Sequence, residues 1–303
     1  MPSLVFSLAP AKFNSTVVPV KSISISPAII SESDFHSGNP YPTLVRVSGA
    51  TPKITLSMPF GPAYSVLGFS VFKLTTLEIW LARFTDFTRA ASNTDAKFSL
   101  SGSSVAAAMI TGISVDQDGD LMASVDVVPI ADTATTNPLA LSTGTMPTLA
   151  SQPQLYTLGP CTINGTLIPG LLSAGADLGQ SLSPVRSDGS KYPMAAARLN
   201  ATPRVFGEHS DPYTLLQTLT LDGVVESSNL VQYFRAYDAT TGVVSNAAAS
   251  AVSLTIAVGR AHPLDIGSAQ NQVARMGLEF LPTSDTSTHP IAVSTAATVP
   301  TVT

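Results

Sequence analysis

The sequence repeats the stretch that decides its fold. Residues 41–42 are Tyr-Pro and residues 50–53 are Ala-Thr-Pro-Lys, whereas residues 192–193 are Tyr-Pro and residues 201–204 are Ala-Thr-Pro-Arg. The internal spacing is the same in both stretches, and the offset between them is 151 residues. Recurrence at a fixed offset is the sequence signature of a repeated structural unit. The chain of 303 residues is therefore predicted to contain two tandem copies of one module.

Two further blocks recur in the same order. Residues 83–86 match residues 235–238 at an offset of 152, each block beginning with Arg and ending with Asp. Residues 136–143 match residues 288–295, also at an offset of 152. A β-rich chain that reuses short Pro, Thr and Val patterns could produce any one block by chance. Three ordered blocks with almost no drift favour duplication.

The repeat places the boundaries of the modules. A stretch of Thr, Pro, Ser and Ala without periodicity separates the copies, as a linker does. The predicted organisation is an N-terminal arm at residues 1–15, a first module at 16–143, a linker at 144–154, a second module at 155–295 and a C-terminal arm at 296–303.

The spacing of apolar residues predicts a mainly β fold, largely of antiparallel sheet. Apolar residues alternate with others in residues 45–47, 54–58 and 125–127, which is typical of strands with one buried face. The pair Asp118-Gly119 suits a two-residue hairpin turn.

One short helix per copy is predicted where the alternation lapses. The candidates are Gly61 to Gly68 and Asp211 to Leu219, the second with a good N-cap residue followed by Pro at the first helical position. Gly49 and Asn200 precede the repeated Ala-Thr-Pro blocks, and both residue types tolerate the positive φ of a tight turn between strands.

The composition is that of a subunit rather than a free enzyme or a nucleic-acid reader. Charged residues make up 12% of the chain, against about 25% in typical soluble proteins. A surface with so few charges suits a subunit that is covered by its neighbours. The net charge is −5, and no cluster of Lys and Arg offers a phosphate-binding surface. Cys161 is the only cysteine, which excludes an internal disulfide.

Asp116, Asp118 and Asp120 surround Gly119 and resemble the start of a calcium-binding loop. The distal bidentate Glu of such a loop is missing, and the flanking residues alternate like two strands. A solvated hairpin tip is therefore favoured over a cation site.

The repeated Arg and Asp residues are candidates for a structural or interface role. Arg83 with Asp86 and Arg235 with Asp238 could form equivalent salt bridges inside each module, or between neighbours around a ring. We favour the pairing inside each module, because exposed pairs at an interface contribute little.

No motif predicts catalysis, a cofactor or a membrane. The four histidines lack metal-ligand spacing, and the sequence has neither a hydrolase nucleophile elbow nor a nucleotide-binding glycine motif. No apolar run approaches the ~20 residues of a membrane helix, and the N-terminus lacks the pattern of a signal peptide. We therefore expect a non-enzymatic protein that is made in a cytoplasm.

Two fused modules have a particular physical use, because three such chains give six near-equivalent modules in a closed ring. With its repeated anchors, the helix candidate after each anchor and its few charges, the chain resembles the duplicated tail tube proteins of long, non-contractile-tailed bacteriophages. The resemblance covers most of the chain at the level of pattern.

The resemblance implies a fold, partners and a location. Each module would be a β-sandwich or half-barrel with one flanking helix. The chain would associate with itself into trimeric, pseudo-hexameric rings, or into hexamers, that stack into a tube in the virion tail. Genome DNA would pass through the lumen without specific binding, other tail proteins would bind the tube ends, and the N-terminal arm or long loops would reach the next ring.

Two other structural roles remain open. A double jelly-roll capsid protein is also a fused duplication that forms pseudo-hexameric trimers. An adhesive or carbohydrate-binding tail protein would need exposed aromatic platforms, whereas aromatic residues make up 7% of this chain and mostly lie in apolar runs.

Overall fold

The protein is mainly β, as the sequence predicts. A computed structural model describes residues 4–34, 40–85, 94–148, 153–168, 170–213, 215, 225–227, 229–238, 240–244, 251–267, 274–284 and 288–300. Within these residues every pairing between strands is antiparallel.

The first half of the chain contains twelve strands and one helix among the described residues. In chain order they are β1 (Leu4–Phe13), β2 (Thr16–Val18), β3 (Ser22–Ser26), β4 (Ile29–Asp34), β5 (Leu44–Ala50), β6 (Lys53–Pro59), α1 (Phe60–Leu67), β7 (Lys73–Thr75), β8 (Leu77–Thr85), β9 (Asp95–Leu100), β10 (Val105–Asp116), β11 (Met122–Ile130) and β12 (Leu139–Gly144).

The described part of the second half contains another twelve strands. They are β13 (Tyr156–Ile163), β14 (Thr166–Ile168), β15 (Leu171–Asp177), β16 (Gln180–Val185), β17 (Ala195–Asn200), β18 (Arg204–His209), β19 (Val225–Ser227), β20 (Leu230–Ala236), β21 (Ala251–Ile256), β22 (Gly259–Gly267), β23 (Arg275–Pro282) and β24 (Ile291–Ala297).

The strands form the same arrangement in each half. One five-stranded sheet has the order β12-β9-β8-β1-β2, and another has the order β24-β21-β20-β13-β14. A ten-stranded sheet runs through both halves in the order β19-β22-β23-β18-β15-β10-β11-β6-β3, with β7 also paired to β10. Two separate hairpins, β4–β5 and β16–β17, complete the fold. The hairpins occupy matching positions in the chain. The β4–β5 hairpin connects β3 to β6 and the β16–β17 hairpin connects β15 to β18, and in each case the two flanking strands pair with each other.

Fine details of the backbone also recur. The pairing of β1 with β8 shifts register between Leu8 and Ala11, and the pairing of β13 with β20 shifts between Leu158 and Cys161. The turns after β1 and β13 each contain an asparagine with positive φ, Asn14 at 52° and Asn164 at 51°. The Asn14 side chain accepts a hydrogen bond from Thr76 N, and that of Asn164 accepts one from Asn229 N. These two turns lie outside the repeated sequence blocks.

The core lies between the five-stranded sheets and the ten-stranded sheet. Ile54, Leu56 and Met58 of β6 are fully buried, as their alternation predicts. Their neighbours Thr55 and Ser57 point away from the core. They lie on the opposite face of the ten-stranded sheet, here called the polar face, which also carries a few apolar residues such as Met109 and Val128. Buried residues from both halves belong to one continuous cluster. Cys161 lies inside it, where burial raises the pKa of its thiol to about 12.

The first predicted helix is present one residue earlier than expected, as α1. It buries Phe60, Ala63 and Leu67 and begins where Phe60 N continues the sheet by donating to Leu121 O. The second predicted helix, residues 211–219, lies mostly outside the described residues. Its described part is helical at Pro212, Tyr213 and Leu215.

The predicted N-terminal arm differs from the structure. Leu4–Phe13 forms β1 rather than an arm, because its backbone pairs with β8 along most of its length and Phe13 is buried in the core. The expected linker, residues 144–154, begins with the last residue of β12, Gly144, and contains no strand or helix in its other described residues, 145–148 and 153–154.

A cluster of three charged side chains on neighbouring strands stabilises the first five-stranded sheet. The Glu78 carboxylate of β8 accepts a hydrogen bond of 2.8 Å from Lys97 Nζ of β9 and lies 3.7 Å from Lys12 Nζ of β1. All three side chains are largely buried, with exposed fractions between 21% and 34%. The hydrogen bond from Lys97, together with the charges of Lys97 and Lys12, outweighs desolvation and holds the pKa of Glu78 below its usual value.

We expect Glu78→Gln to cost about 1 kcal/mol of unfolding free energy at pH 7, because it removes a charge-assisted hydrogen bond. A carboxylate whose folded pKa is lowered contributes stability above its unfolded pKa of about 4.3, and loses it as the pH falls through the folded value. The gap between wild type and variant should therefore close below about pH 4, as measured by urea unfolding at several pH values. Glu32→Gln, on the exposed β4 strand, is the control. A gap that stays constant with pH would contradict this role.

Candidate assembly surface

The two halves are joined by direct pairing of β10 with β15. Five backbone pairs run from Gly112 opposite Asp177 to Asp116 opposite Ser173. The earlier part of β10 pairs instead with β7, through Ala106 to Ala108. A bulge between Ile110 and Gly112 separates the two parts, and bulges increase the local twist of a strand. The strand β10 thus exchanges one neighbour for another along its length.

A hairpin of the second half covers this junction. The β16–β17 hairpin lies over β10 and β11 of the first half, on the face of the sheet opposite to the core. Leu182 of β16 is only 2% exposed and packs in a separate apolar cluster with Ala107, Met109 and Val128. This cluster therefore belongs to the contact between the halves.

The tip of the same hairpin contacts β5. Lys191 O accepts a hydrogen bond of 2.9 Å from Ala50 N, and Arg186 Nη2 donates one of 2.9 Å to Ser48 O. Gly49 is not in the positive φ region that the sequence suggested. It is needed for another reason, because a Cβ at this position would collide with Lys191 O.

An ion pair occupies matching positions in the two halves, and the one in the first half lies beside this contact. Lys53 Nζ lies 2.6 Å from Asp126 Oδ2, and the same oxygen accepts a hydrogen bond of 3.5 Å from Leu182 N of the covering hairpin. At the matching positions of the second half, Arg204 Nη1 lies 3.4 Å from Glu279 Oε1. The repeated Lys and Arg at the end of the quoted sequence stretch thus have the same kind of partner.

Among the described residues, both edges of the ten-stranded sheet have unpaired backbone. β3 is the last strand on one side and pairs only with β6 among the described residues. At the other side β19 covers only Gly259 to Ala261 of β22, so in the described part of the chain the rest of β22 has one free edge. That remaining part contains a bulge between Pro263 and Ile266, as β10 does where it changes neighbour.

The β4–β5 hairpin presents apolar side chains to solvent. Val45 is 56% and Val47 62% exposed, and Ile29 and Leu44 are also exposed. The alternation that correctly predicts the β5 strand therefore does not mark a surface that this chain buries. A groove of about 700 Å³ separates the hairpin from β12.

The polar face of the ten-stranded sheet carries side chains of both charge signs. Most of its cations are paired with carboxylates. Lys53 pairs with Asp126, and Arg204 with Asp177 at 3.8 Å as well as with Glu279. Arg275 Nη1 lies 3.5 Å from Glu208 Oε1, and His262 Nε2 lies 2.9 Å from Glu279 Oε2. The remaining polar positions are mostly Ser and Thr. This pairing weakens the attraction that the face would have for a phosphate backbone.

The acidic residues at 116–120 form the tip of the β10–β11 hairpin. The connection is longer than the predicted two-residue turn, since β10 ends at Asp116 and β11 begins at Met122. The second half holds it open, because Leu121 N donates to Tyr156 O at 2.7 Å and Thr157 Oγ1 donates to Gly119 O at 2.9 Å. Among the described residues, no three His, Cys, Asp or Glu side chains lie close enough together to hold a metal ion. The candidates Asp116, Asp118 and Asp120 are therefore not grouped as a metal site.

The repeated Arg and Asp residues do not form the expected pair where the structure describes them. Asp238 accepts hydrogen bonds from Thr241 N at 2.7 Å, Thr240 N at 2.9 Å and Thr241 Oγ1 at 3.0 Å. These bonds, led by that from Thr241 N, lower the pKa of Asp238. No ion pair joins it to Arg235, whose Nε is buried in β20. Asp86 and the Arg83 side chain lie outside the described residues.

In the part of the chain that the structure describes, no helix has the length and apolar character to span a membrane. No protein family matches the chain, and no curated protein matches it.

We expect Gly49→Ala to cost about 1–3 kcal/mol of unfolding free energy, because the added methyl group pushes against Lys191 O and loosens the contact between the halves. Gly267→Ala is the matched control, since a Cβ there meets no atom within 4 Å. Denaturant unfolding of the purified variants measures both. Equal stabilities would contradict the close approach at Gly49.

We expect Lys53→Met to cost about 2 kcal/mol, because it leaves the Asp126 carboxylate, 9% exposed, without its cation. Arg204→Met should cost less than about 1 kcal/mol, because Arg204 is half exposed. The comparison of the two variants by denaturant unfolding tests whether burial under the hairpin strengthens the first ion pair. A larger loss in Arg204→Met would show that it does not.

Proposed function

We propose that the two halves are copies of one module and that the chain is a virion structural protein, a tail tube subunit whose rings stack into a channel for genome DNA. The observation that carries the proposal is the ten-stranded sheet. Its internal junction has the same geometry that its two open ends would need in order to join one chain to the next.

The register of the sheet supports equivalence between β3 and β15. Ile54 of β6 pairs with Ile25 of β3, and Val205, 151 residues further along, pairs with Ala176 of β15. On this basis the open edge of β3 corresponds to the edge of β15 that meets β10.

The register supports the same equivalence between β10 and β22. Ala108 pairs with Val127, and Ala261 pairs with Phe280, each 153 residues later. The short strands β7 and β19 pair with these matching segments. The unpaired part of β22 therefore corresponds to the part of β10 that binds β15.

Head-to-tail association follows from these two equivalences. β22 of one copy would pair with β3 of the next, with Ile266 opposite Ile25 as Ile113 is opposite Ala176. Such a contact uses two different surfaces and closes into a ring or continues as a helix. It also removes both unpaired edges, which are otherwise sites of uncontrolled aggregation.

A ring of three copies would contain a continuous barrel. Each half contributes four strands longer than three residues to the large sheet: β3, β6, β11 and β10 in the first, and β15, β18, β23 and β22 in the second. Three chains would then give a barrel of about 24 strands, with a diameter on the order of 50 Å for usual strand spacing and tilt. A barrel of this size encloses a wide aqueous channel.

The part of the polar face that no hairpin covers suits the lining of such a channel. Its Ser and Thr side chains and its ion-paired cations offer little specific attraction to DNA in transit. The capsid alternative has less support, because β8 pairs with β9 and β10 with β11 as hairpins within one sheet, whereas a jelly roll places consecutive strands in alternate sheets.

The test is a disulfide between chains. With Ser24→Cys and Gly267→Cys in one chain, the proposed pairing places the two residues opposite each other, as Gly175 is opposite Ser114. Their separation would allow a disulfide. We expect oxidation to give covalent oligomers ending at a closed trimer on a non-reducing gel, and rings or stacked tubes in negative-stain electron microscopy. The native Cys161 is buried and should not react.

The internal control is Asp116→Cys with Ser173→Cys, which the structure pairs within one chain. It should oxidise without forming oligomers. Formation of the internal disulfide without any disulfide between chains, together with particles that remain monomeric at high concentration, would contradict the proposed assembly.

A further inference from the structure

We infer that the β4–β5 hairpin of one copy docks on the polar face of β22 and β23 in the next copy. This inference rests on the proposed head-to-tail ring and assigns the exposed valines of the hairpin to a specific site. Its partner is a second copy of this chain.

The contact inside the chain provides the precedent. At the internal junction β15 pairs with β10, and the hairpin that follows β15 lies over β10 and β11. Only Leu178 and Gly179 separate β15 from that hairpin. Because this connection is so short, pairing of β15 with β10 also places the β16–β17 hairpin on its docking surface.

The first half has the same short connection. Only Pro27 and Ala28 separate β3 from β4. If β3 pairs with β22 of the next copy, the β4–β5 hairpin must lie close to β22 and β23 of that copy. This short connection does not bring the hairpin close to a neighbouring ring of a stack.

The side chains of the hairpin agree with this placement. Ser31 is opposite Val47 in the β4–β5 hairpin, as Leu182 is opposite Arg198 in the β16–β17 hairpin, with an offset of 151 residues for both members. Leu182 is 2% exposed because it is docked, whereas Val47 and its neighbour Val45 on the same face are more than half exposed. Val45 matches Ala196, which packs against the docked apolar cluster, whereas Val47 matches Arg198, which stays exposed beside it. Val45 thus occupies the part of the hairpin that is covered in its counterpart.

The receiving surface contains the counterpart of the docked ion pair. Asp126 accepts Leu182 N in the internal contact while it pairs with Lys53. Glu279 is the matching carboxylate, paired with Arg204 and with His262. The docked hairpin would present Ser31 N to Glu279. Leu281, which matches Val128 in register, provides apolar contact for the valines.

Val45→Glu tests the docking. Because Val45 is 56% exposed in the isolated chain, the variant should fold with an unchanged thermal unfolding temperature. A charge buried where Ala196 packs in the internal contact should raise the protein concentration needed for half-maximal ring formation at least tenfold, as measured by analytical ultracentrifugation. Val243→Glu, with a valine 64% exposed elsewhere, is the matched control and should assemble as wild type.

A second readout does not depend on substitution. Hydrogen exchange of the backbone amides in residues 44–47 should slow at least tenfold when wild-type protein assembles into single rings, before any stacking.

The outcomes separate the two proposals. Absence of rings in the wild type would overturn the proposed function and this inference together. If Val45→Glu forms rings at the same concentration as the wild type, or if hydrogen exchange at residues 44–47 is unchanged in single rings, the docking alone is overturned. Rings of Val45→Glu that form normally but fail to stack would also overturn it, since the hairpin would then contact another ring.

Discussion

The pairing of β10 with β15 is the interaction on which the rest of the structure depends. It merges two half-sheets into one, so that both halves share a single apolar core and a single polar face. The bulge at Ile110 and Gly112 makes this possible, because a strand that twists sharply can leave one neighbour and take another. The covering hairpin, the Lys53–Asp126 ion pair and the tight approach at Gly49 all lie beside this junction and require it.

The merger of the two half-sheets also determines what the polar face can contact. A sheet with a continuous core on one side must leave its other side to solvent or to a partner. Here that side is covered at the internal junction, where Met109 and Val128 contact Leu182. At the matching positions of the second half are His262 and Leu281, and His262 remains partly accessible. The two halves thus differ in the chemistry of this one surface.

The sequence predicts the β class, the strand at residues 54–58 and the position of α1, because alternation and its interruption are local signals. It does not predict that Leu4–Phe13 is a strand, because that strand is stabilised by pairing with residues more than sixty positions away. Alternation at Val45 and Val47 indicates a strand but says nothing about which molecule covers it. Asp238 shows the opposite difficulty, since a repeated Arg-x-x-Asp pattern suggests an ion pair where the carboxylate instead organises a turn.

The covering of the internal junction also affects how an assembly could form. Because the halves are tethered by a short connection, their mutual contact forms at an effective concentration far above that of separate chains, and its apolar cluster makes it permanent. The contact proposed between chains, with Glu279 and His262 at its edge, would be more polar and would have no tether. In the proposed ring, every second joint would therefore be fixed and the others reversible, so that a wrongly placed subunit could leave without unfolding.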